Sequence, residues 1–369
     1  MLDAPTSTIP KTMRAAQTEG IRQAVRVADV SVPEIGEDDA LIRVVASGIC
    51  RSDWHLWNGD WTWVGMKLPQ PAVLGHEMGG VVVAVGSGVT QVKAGTRVTV
   101  PFNLACGHCP YCRDGRQNLC DNAAFPMMMP GSGGWAQYSR IPNADLNCIP
   151  LPDAVDEVSA AALGCRYMTA WRAVRVRGAV RGGEIAVVLG CGGVGLAAVE
   201  IAAALGARVV AVDIDAQKLQ LARTLGAADV IEATERDPRK LARQIKTLVG
   251  GVGADIAIDA LGSSATALPG LLSLRKGGRL AQVGLTSQED KGQLTIPADM
   301  LVNKEWSIVG SLGNPHSGYP ELLGMVAAGR LQPRRLVSRE VGLEDVDSVL
   351  HEMDGYATSG YVVITQMER

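Results

Sequence analysis

The sequence predicts an α/β protein of two units, one rich in β-strand and one a doubly wound parallel six-stranded sheet, and three observations lead there. From residue 12 to about 145 the chain consists of short alternating or β-branched runs broken by Gly and Pro. After about residue 168, apolar strands alternate with helical stretches, as in a parallel sheet covered on both faces. A length of 369 residues with 47% hydrophobic content suits two domains of roughly 150 residues, each with its own core.

In chain order, the first unit has strand candidates at 40–45, 80–85 and 97–100. The second has six, at 185–189, 209–213, 229–231, 255–259, 279–284 and 306–311, the number a dinucleotide-binding sheet requires. Helices near 196–205, 217–225 and 239–248 each stop at or just before glycine, a common C-terminal signal. Residues 318–369 carry two helical stretches and a closing strand at 361–365 that can pack back on the first unit. The expected division is 1–166, 167–311 and a C-terminal return, 312–369.

Lys and Arg number 35 against 38 Asp and Glu, a net charge of −3, with no block of like charge. That balance offers no footprint for nucleic acid and no basic face for a membrane, so the expected partner is a small molecule. Residues 1–20 are polar and interrupted by two prolines, unlike a signal peptide. The most apolar uncharged run, 185–199, is shorter than the roughly 18 to 20 residues of a membrane span. A cytoplasmic location is expected. Eight cysteines, clustered in so long a chain, point to metal rather than to disulfides.

Gly190-Cys191-Gly192-Gly193-Val194-Gly195 follows an apolar strand and opens a helix, matching G-x-G-x-x-G. Gly190 allows the tight turn, Gly192 lets backbone approach a pyrophosphate, and Gly195 permits close helix packing. The helix N-terminus offers N–H groups to phosphate. Asp213 ends the next strand, 18 residues after Gly195, where a carboxylate accepts hydrogen bonds from the adenosine ribose and repels a 2′-phosphate. NAD is therefore expected over NADP. A plain glycine turn beside a solvated aspartate is the alternative.

Cys106, Cys109, Cys112 and Cys120 share one loop with spacing C-x2-C-x2-C-x7-C, right for four thiolates closing a tetrahedron around a structural zinc. An iron–sulfur cluster or ordinary reduced thiols are the alternatives. A second set is dispersed: Cys50, His76 directly before Glu77, and Cys165. Spacing alone does not assemble these three, and a single His before Glu is more often a packed or surface residue than a ligand.

The run from Cys50 to His55, the Gly75-His76-Glu77 triplet, the four-cysteine loop, Cys165 and the glycine turn occur in the order seen in zinc-dependent alcohol dehydrogenases of the medium-chain dehydrogenase/reductase superfamily, which the chain resembles over nearly its whole length. The resemblance implies a GroES-like catalytic domain, an inserted Rossmann domain, NAD, and two zinc ions per subunit. It makes Cys50, His76 and Cys165 ligands of a catalytic zinc. Alcohol dehydrogenase is itself the known example of such a Cys2His site, so this set follows the family and is not an independent deduction. Asp53 resembles the acid that orients His76, and Glu77 the acid behind the metal. Ser52 and His55 match the proton relay, and Arg51 the residue clamping the cofactor pyrophosphate. Thr169 and Val194 match positions packing on the nicotinamide, Val283 one meeting its carboxamide, and Lys218 one near the adenosine ribose, although Lys218 reads equally as a solvated helix charge. Trp57, Trp61, Phe102, Trp135 and Leu285 match pocket-lining positions, Leu285 bordering the cofactor as well. Any one of these rings also reads as core.

Two departures from the family pattern stand out. Thr96 in Gly95-Thr96-Arg97-Val98 replaces a common aspartate, and Ser359-Gly360-Tyr361-Val362 lacks an arginine that relatives often place on the cofactor phosphate. Only 15 positions separate Cys120 from Trp135, which resembles the short-loop, often tetrameric members, so a homotetramer is expected, otherwise a homodimer. The activity implied is hydride transfer between NAD(H) and an alcohol and its aldehyde or ketone, on apolar or aromatic substrates. The alternatives are a polyol, aldehyde-adduct or other specialised dehydrogenase on the same scaffold, or a non-catalytic nucleotide-binding member.

Overall fold

The computed structural model describes residues 9–286 and 290–368. The chain divides into two compact units, one comprising residues 1–165 and 314–369, the other residues 166–313.

The first unit is built on a seven-stranded mixed sheet. Its central strand, Ala40–Ile49, is apolar and buried along most of its length, as a strand covered on both faces must be. It pairs antiparallel with Glu77–Val85 on one side and with the closing strand Tyr361–Gln366 on the other. That second pairing sets Val363 against Gly48 and Val362 against Ile49, so the end of the chain braces the strand immediately before Cys50. Trp57, Trp135, Ile42, Leu74 and Met78 lie fully buried in this unit's core.

The second unit holds six parallel strands, Ile185–Leu189, Arg208–Asp213, Asp229–Glu232, Ala254–Asp259, Leu274–Gln282 and Ser307–Gly310. Numbered along the chain, their order across the sheet is 3-2-1-4-5-6, all parallel. This is the doubly wound order, which reverses direction beside the first strand and leaves a crevice at the strands' carboxyl ends. The fifth strand begins five residues before the expected 279, because Leu274 already pairs with Ala254 ahead of a bulge. Helices of this unit that escaped sequence reading include Arg166–Trp171, Ser264–Ser273, whose internal Pro269 looks like a breaker, and the short Ala298–Asn303. No helix among the described residues is long and apolar enough to cross a membrane.

Candidate active site and metal centres

Four buried side chains of the first unit, Cys50, His76, Glu77 and Cys165, bring one ligand atom each to within 4.8 Å of one another. They arrive from different elements. Cys50 caps the helix Arg51–Asn58, Glu77 starts the strand Glu77–Val85, and Cys165 follows the helix Glu157–Leu163. Glycines make the approach possible. A Cβ on Gly164 would stand 2.9 Å from Glu77 Cα, and one on Gly75 would stand 2.5 Å from the Trp135 ring, so neither position admits a side chain without displacement.

Asp53 organises this group. It is fully buried, and its Oδ1 lies 2.8 Å from His76 Nδ1 and accepts the Gly75 N–H at 3.0 Å, while Oδ2 accepts the Cys50 N–H at 3.1 Å. One carboxylate thus ties the loops of two prospective ligands together and turns His76 Nε2 toward the thiols. Nε2 is buried and has no partner of hydrogen-bond geometry among the described residues. Burial disfavours the imidazolium, but Asp53, through charge and hydrogen bond, and the adjacent Cys50 hold the His76 proton well above the usual histidine range. A buried cradle with two thiols and a carboxylate beside an orphaned imidazole nitrogen is a donor set suited to zinc.

The loop of Cys106, Cys109, Cys112 and Cys120 forms a second group with all four sulfurs within 4.8 Å. Backbone N–H groups point at the sulfurs: Cys112 to Cys109 at 3.4 Å, and Cys106 and Asn122 to Cys120, each at 3.3 Å. Burial opposes ionisation of Cys106, but N–H donors from His108, Asn122 and Cys109 outweigh it and draw the thiol down to about 6. Burial and the neighbouring thiols push Cys112 up to about 12. Four sulfurs this close cannot all ionise without a cation among them, and a closed four-thiolate set suits a structural zinc.

In the second unit the glycine turn joins Ile185–Leu189 to the helix Gly193–Ala204. Gly190 takes φ +86°, a conformation side chains rarely adopt, and a Cβ on Gly195 would meet Gly190 O at 1.7 Å. A Cβ on Gly192 would meet nothing within 4 Å, which leaves the backbone open to a ligand's phosphates. Asp213 accepts N–H groups from Cys191 at 2.5 Å and Asp215 at 2.9 Å, so the carboxylate is fixed at the turn. Lys218 is buried and sits 3.7 Å from Asp215. Thr169, Val194 and Val283 are half-buried, and Leu285 is 64% exposed. Cys191 and Cys148 are buried thiols pushed up by burial, hence poor nucleophiles.

The remaining residues singled out from sequence lie in the first unit. His55 stacks on Trp61 at 5.1 Å and places Nδ1 2.7 Å from Asp60. Burial is the largest influence on it and, with Arg51, outweighs Asp60 to lower its pKa. Ser52 is half-buried on the same helix. The Arg51 guanidinium lies between the rings of Trp54, at 3.6 Å, and Tyr356, at 4.2 Å, and donates to the Met353 carbonyl. Phe102 stands edge-to-face with His76 at 6.3 Å. Trp135 is fully buried beside Gly75. Trp57 is a core residue whose indole N–H donates to Gln23 O at 2.8 Å, and Arg22 covers its ring. Thr96 accepts the Lys93 N–H at 3.2 Å, so a hydroxyl holds the turn where relatives often carry aspartate.

Sequence reading passed over several residues here. Asp60 is the partner of His55, Phe125 stacks on Phe102 at 6.2 Å, and Tyr319 sends its hydroxyl to the Leu163 carbonyl. Burial, with Cys165 nearby, pushes the Tyr319 phenol far above its usual range, so it stays a donor. Only the last of these left a trace: an aromatic opening a helix in the C-terminal segment.

Comparison with known proteins agrees with this geometry. Residues 36–153 match the family model described as Alcohol dehydrogenase GroES-like domain, and residues 193–328 that described as Zinc-binding dehydrogenase. An alcohol dehydrogenase of Geobacillus stearothermophilus is 35% identical over 95% of this chain and 99% of its own. A sorbitol dehydrogenase of Bacillus subtilis (strain 168) is 32% identical, covering 94% of each chain. The solved structure of alcohol dehydrogenase TADH from Thermus sp. ATN1 superposes with a TM-score of 0.86 at 33% identity, covering 95% of this chain and 99% of that one. With a GroES-like unit, a Rossmann-like six-stranded parallel unit and these relatives, the chain belongs to the zinc-type alcohol dehydrogenase family of medium-chain dehydrogenases and is an oxidoreductase of that family.

Proposed function

We propose that the protein is an NAD-linked, zinc-dependent alcohol dehydrogenase that transfers a hydride between NAD(H) and an apolar or aromatic alcohol and its aldehyde or ketone. The observation that carries this reading is the buried convergence of Cys50, His76, Glu77 and Cys165, with Asp53 orienting the histidine. Cys50, His76 and Cys165 would hold the catalytic zinc, which when bound supplies Lewis acidity that lowers an alcohol's pKa or polarises a carbonyl. The four-cysteine loop would hold the structural one.

The chain's own groups do the remaining work. Asp53 orients His76 through Nδ1 and turns Nε2 toward the thiols, as the atom that would hold the metal. Burial of the group keeps water from competing for the substrate oxygen. Ser52 and His55 carry off the alcohol's proton. His55 is neutral at neutral pH because burial depresses it, and with Nδ1–H on Asp60 its Nε2 is the accepting atom. The glycine turn and helix N-terminus bind pyrophosphate, and Asp213 takes the adenosine ribose.

A spectrophotometric NAD(H) assay over primary, secondary and aromatic alcohols and aldehydes, with sorbitol and xylitol included, tests the reading. The expected result is turnover of apolar and aromatic alcohols that disappears with a chelator. Faster turnover of the polyols, or activity indifferent to metal removal, overturns it. Asp213→Ala is expected to weaken NADH binding about tenfold, the size of one or two lost charged hydrogen bonds, and to narrow the gap to NADPH. Because Asp213 also braces the turn, the ratio of the two dissociation constants is the decisive measurement. An unchanged ratio counts against Asp213 as the discriminator.

A further inference from the structure

We propose that Tyr319 is a positioning residue for the Cys165 thiolate, and through it sets how tightly the Cys50–His76–Cys165 group holds metal; the inference rests on the reading of that group as a zinc site. Cys165 lies 88 positions beyond Glu77 in sequence, and something must hold it at the histidine. The helix Glu157–Leu163 ends just before it, and the last carbonyls of a helix lack partners within the helix. Here two of them are taken by distant groups. Leu163 O accepts the Tyr319 hydroxyl at 3.1 Å, and Gly164 O accepts the Phe102 N–H at 2.9 Å. Gly164 itself presses on the backbone of Glu77 and Met78. The Cys165 sulfur therefore stands where these contacts leave it.

Tyr319 can impose a position because it is itself fixed. It is fully buried and opens the helix Tyr319–Ala327. Just before it, Ser317 donates to Gly115 O at 2.9 Å, inside the four-cysteine loop, and His316 Nε2 lies 2.9 Å from Asn147 Oδ1. That oxygen also accepts the N–H of Ala105, next to Cys106, while the Asn147 amide nitrogen donates to Ala105 O and Pro142 O. The amide orientation makes His316 Nε2 the donor. The four residues 316–319 thus reach the scaffolds of both cysteine groups. Of the three bonds, only that of Tyr319 ends two residues from a prospective ligand of the catalytic zinc.

Tyr319→Phe keeps the ring in the core and removes only the hydroxyl, leaving Leu163 O unpaired and the last helical turn free to shift. The expected result is zinc release to a colorimetric chelator about tenfold faster from the Cys50–His76–Cys165 group, the low end for losing an outer partner of a metal site, with release from the four thiolates unchanged. In cobalt-substituted protein, the thiolate-to-metal charge-transfer band of the same site should weaken or move, with the thermal midpoint nearly unchanged. Release kinetics and cobalt spectrum identical to the parent protein overturn the proposal, as does a lowered thermal midpoint without faster release. If the phenylalanine variant does not fold, His316→Ala, which loosens the segment just upstream, should speed the same release by a smaller factor, and unchanged release there also overturns it. A parent protein that binds metal only at the four thiolates overturns the zinc-site reading, and this proposal with it.

Discussion

His76→Ala is expected to lower alcohol oxidation and aldehyde reduction by about a thousandfold or more, with NADH affinity within about twofold of the parent protein. Lewis acidity supplies several kcal/mol of transition-state stabilisation, and each 1.4 kcal/mol is about a factor of ten in rate. Without the imidazole, the buried group keeps two thiols and a carboxylate but loses the one donor that Asp53 orients. The substitution also takes from the buried Asp53 carboxylate one of its hydrogen-bond partners, so folding must be confirmed by circular dichroism. Cys50→Ser is the gentler companion, because it conserves volume and the backbone bond to Asp53. The glycine turn lies in the other unit, so NADH binding followed by fluorescence should survive both changes. Full activity in either variant refutes the assigned centre.

Cys109→Ser is expected to cost one zinc per chain and to open the segment 106–120 to protease, with cleavage at least about tenfold faster for each 1.4 kcal/mol of local stability lost. The reason lies in what that segment lacks. Its buried cluster consists of Ala105 and three of the cysteines themselves, with Cys106, Tyr111, Ala123 and Leu146 partly covering it. Its helix, Pro110–Arg113, is a single turn capped by the Cys109 sulfur. So small an apolar cluster does little against the entropy of ordering the loop, which is why a metal clip is expected to hold it. Zinc content and cleavage pattern matching the parent protein would show that hydrogen bonds alone hold the loop.

How much of this was legible before folding differs from residue to residue. The glycine turn reads directly, because Gly190 at φ +86° and the contact of Gly195 with Gly190 O are consequences of spacing within six residues. The four-cysteine loop reads equally well, since all four sulfurs come from one stretch of fifteen residues. Trp57 shows the limit. Its neighbours in sequence suit a pocket wall as well as a core, and the Gln23 carbonyl that anchors its indole comes from a strand-less segment 34 positions away. His55 is legible in the sequence only through its match to the family's proton relay, while its partner Asp60 needs the left-handed turn at Gly59 to swing it back.

The sequence by itself determined the two-unit α/β plan, the parallel six-stranded sheet with its glycine turn, and a local thiol cluster, because each is written in periodicity or in spacings of a few residues. Only the tertiary structure decided that Cys50, His76, Glu77 and Cys165 meet, since no spacing rule spans 115 positions. What closes that distance is contact: glycines that let backbone lie on backbone, the buried Asp53 bridging two loops, and Tyr319 pinning a helix end from the far part of the chain. These forces act through space over a few ångströms, and sequence separation tells little about which residues they will join.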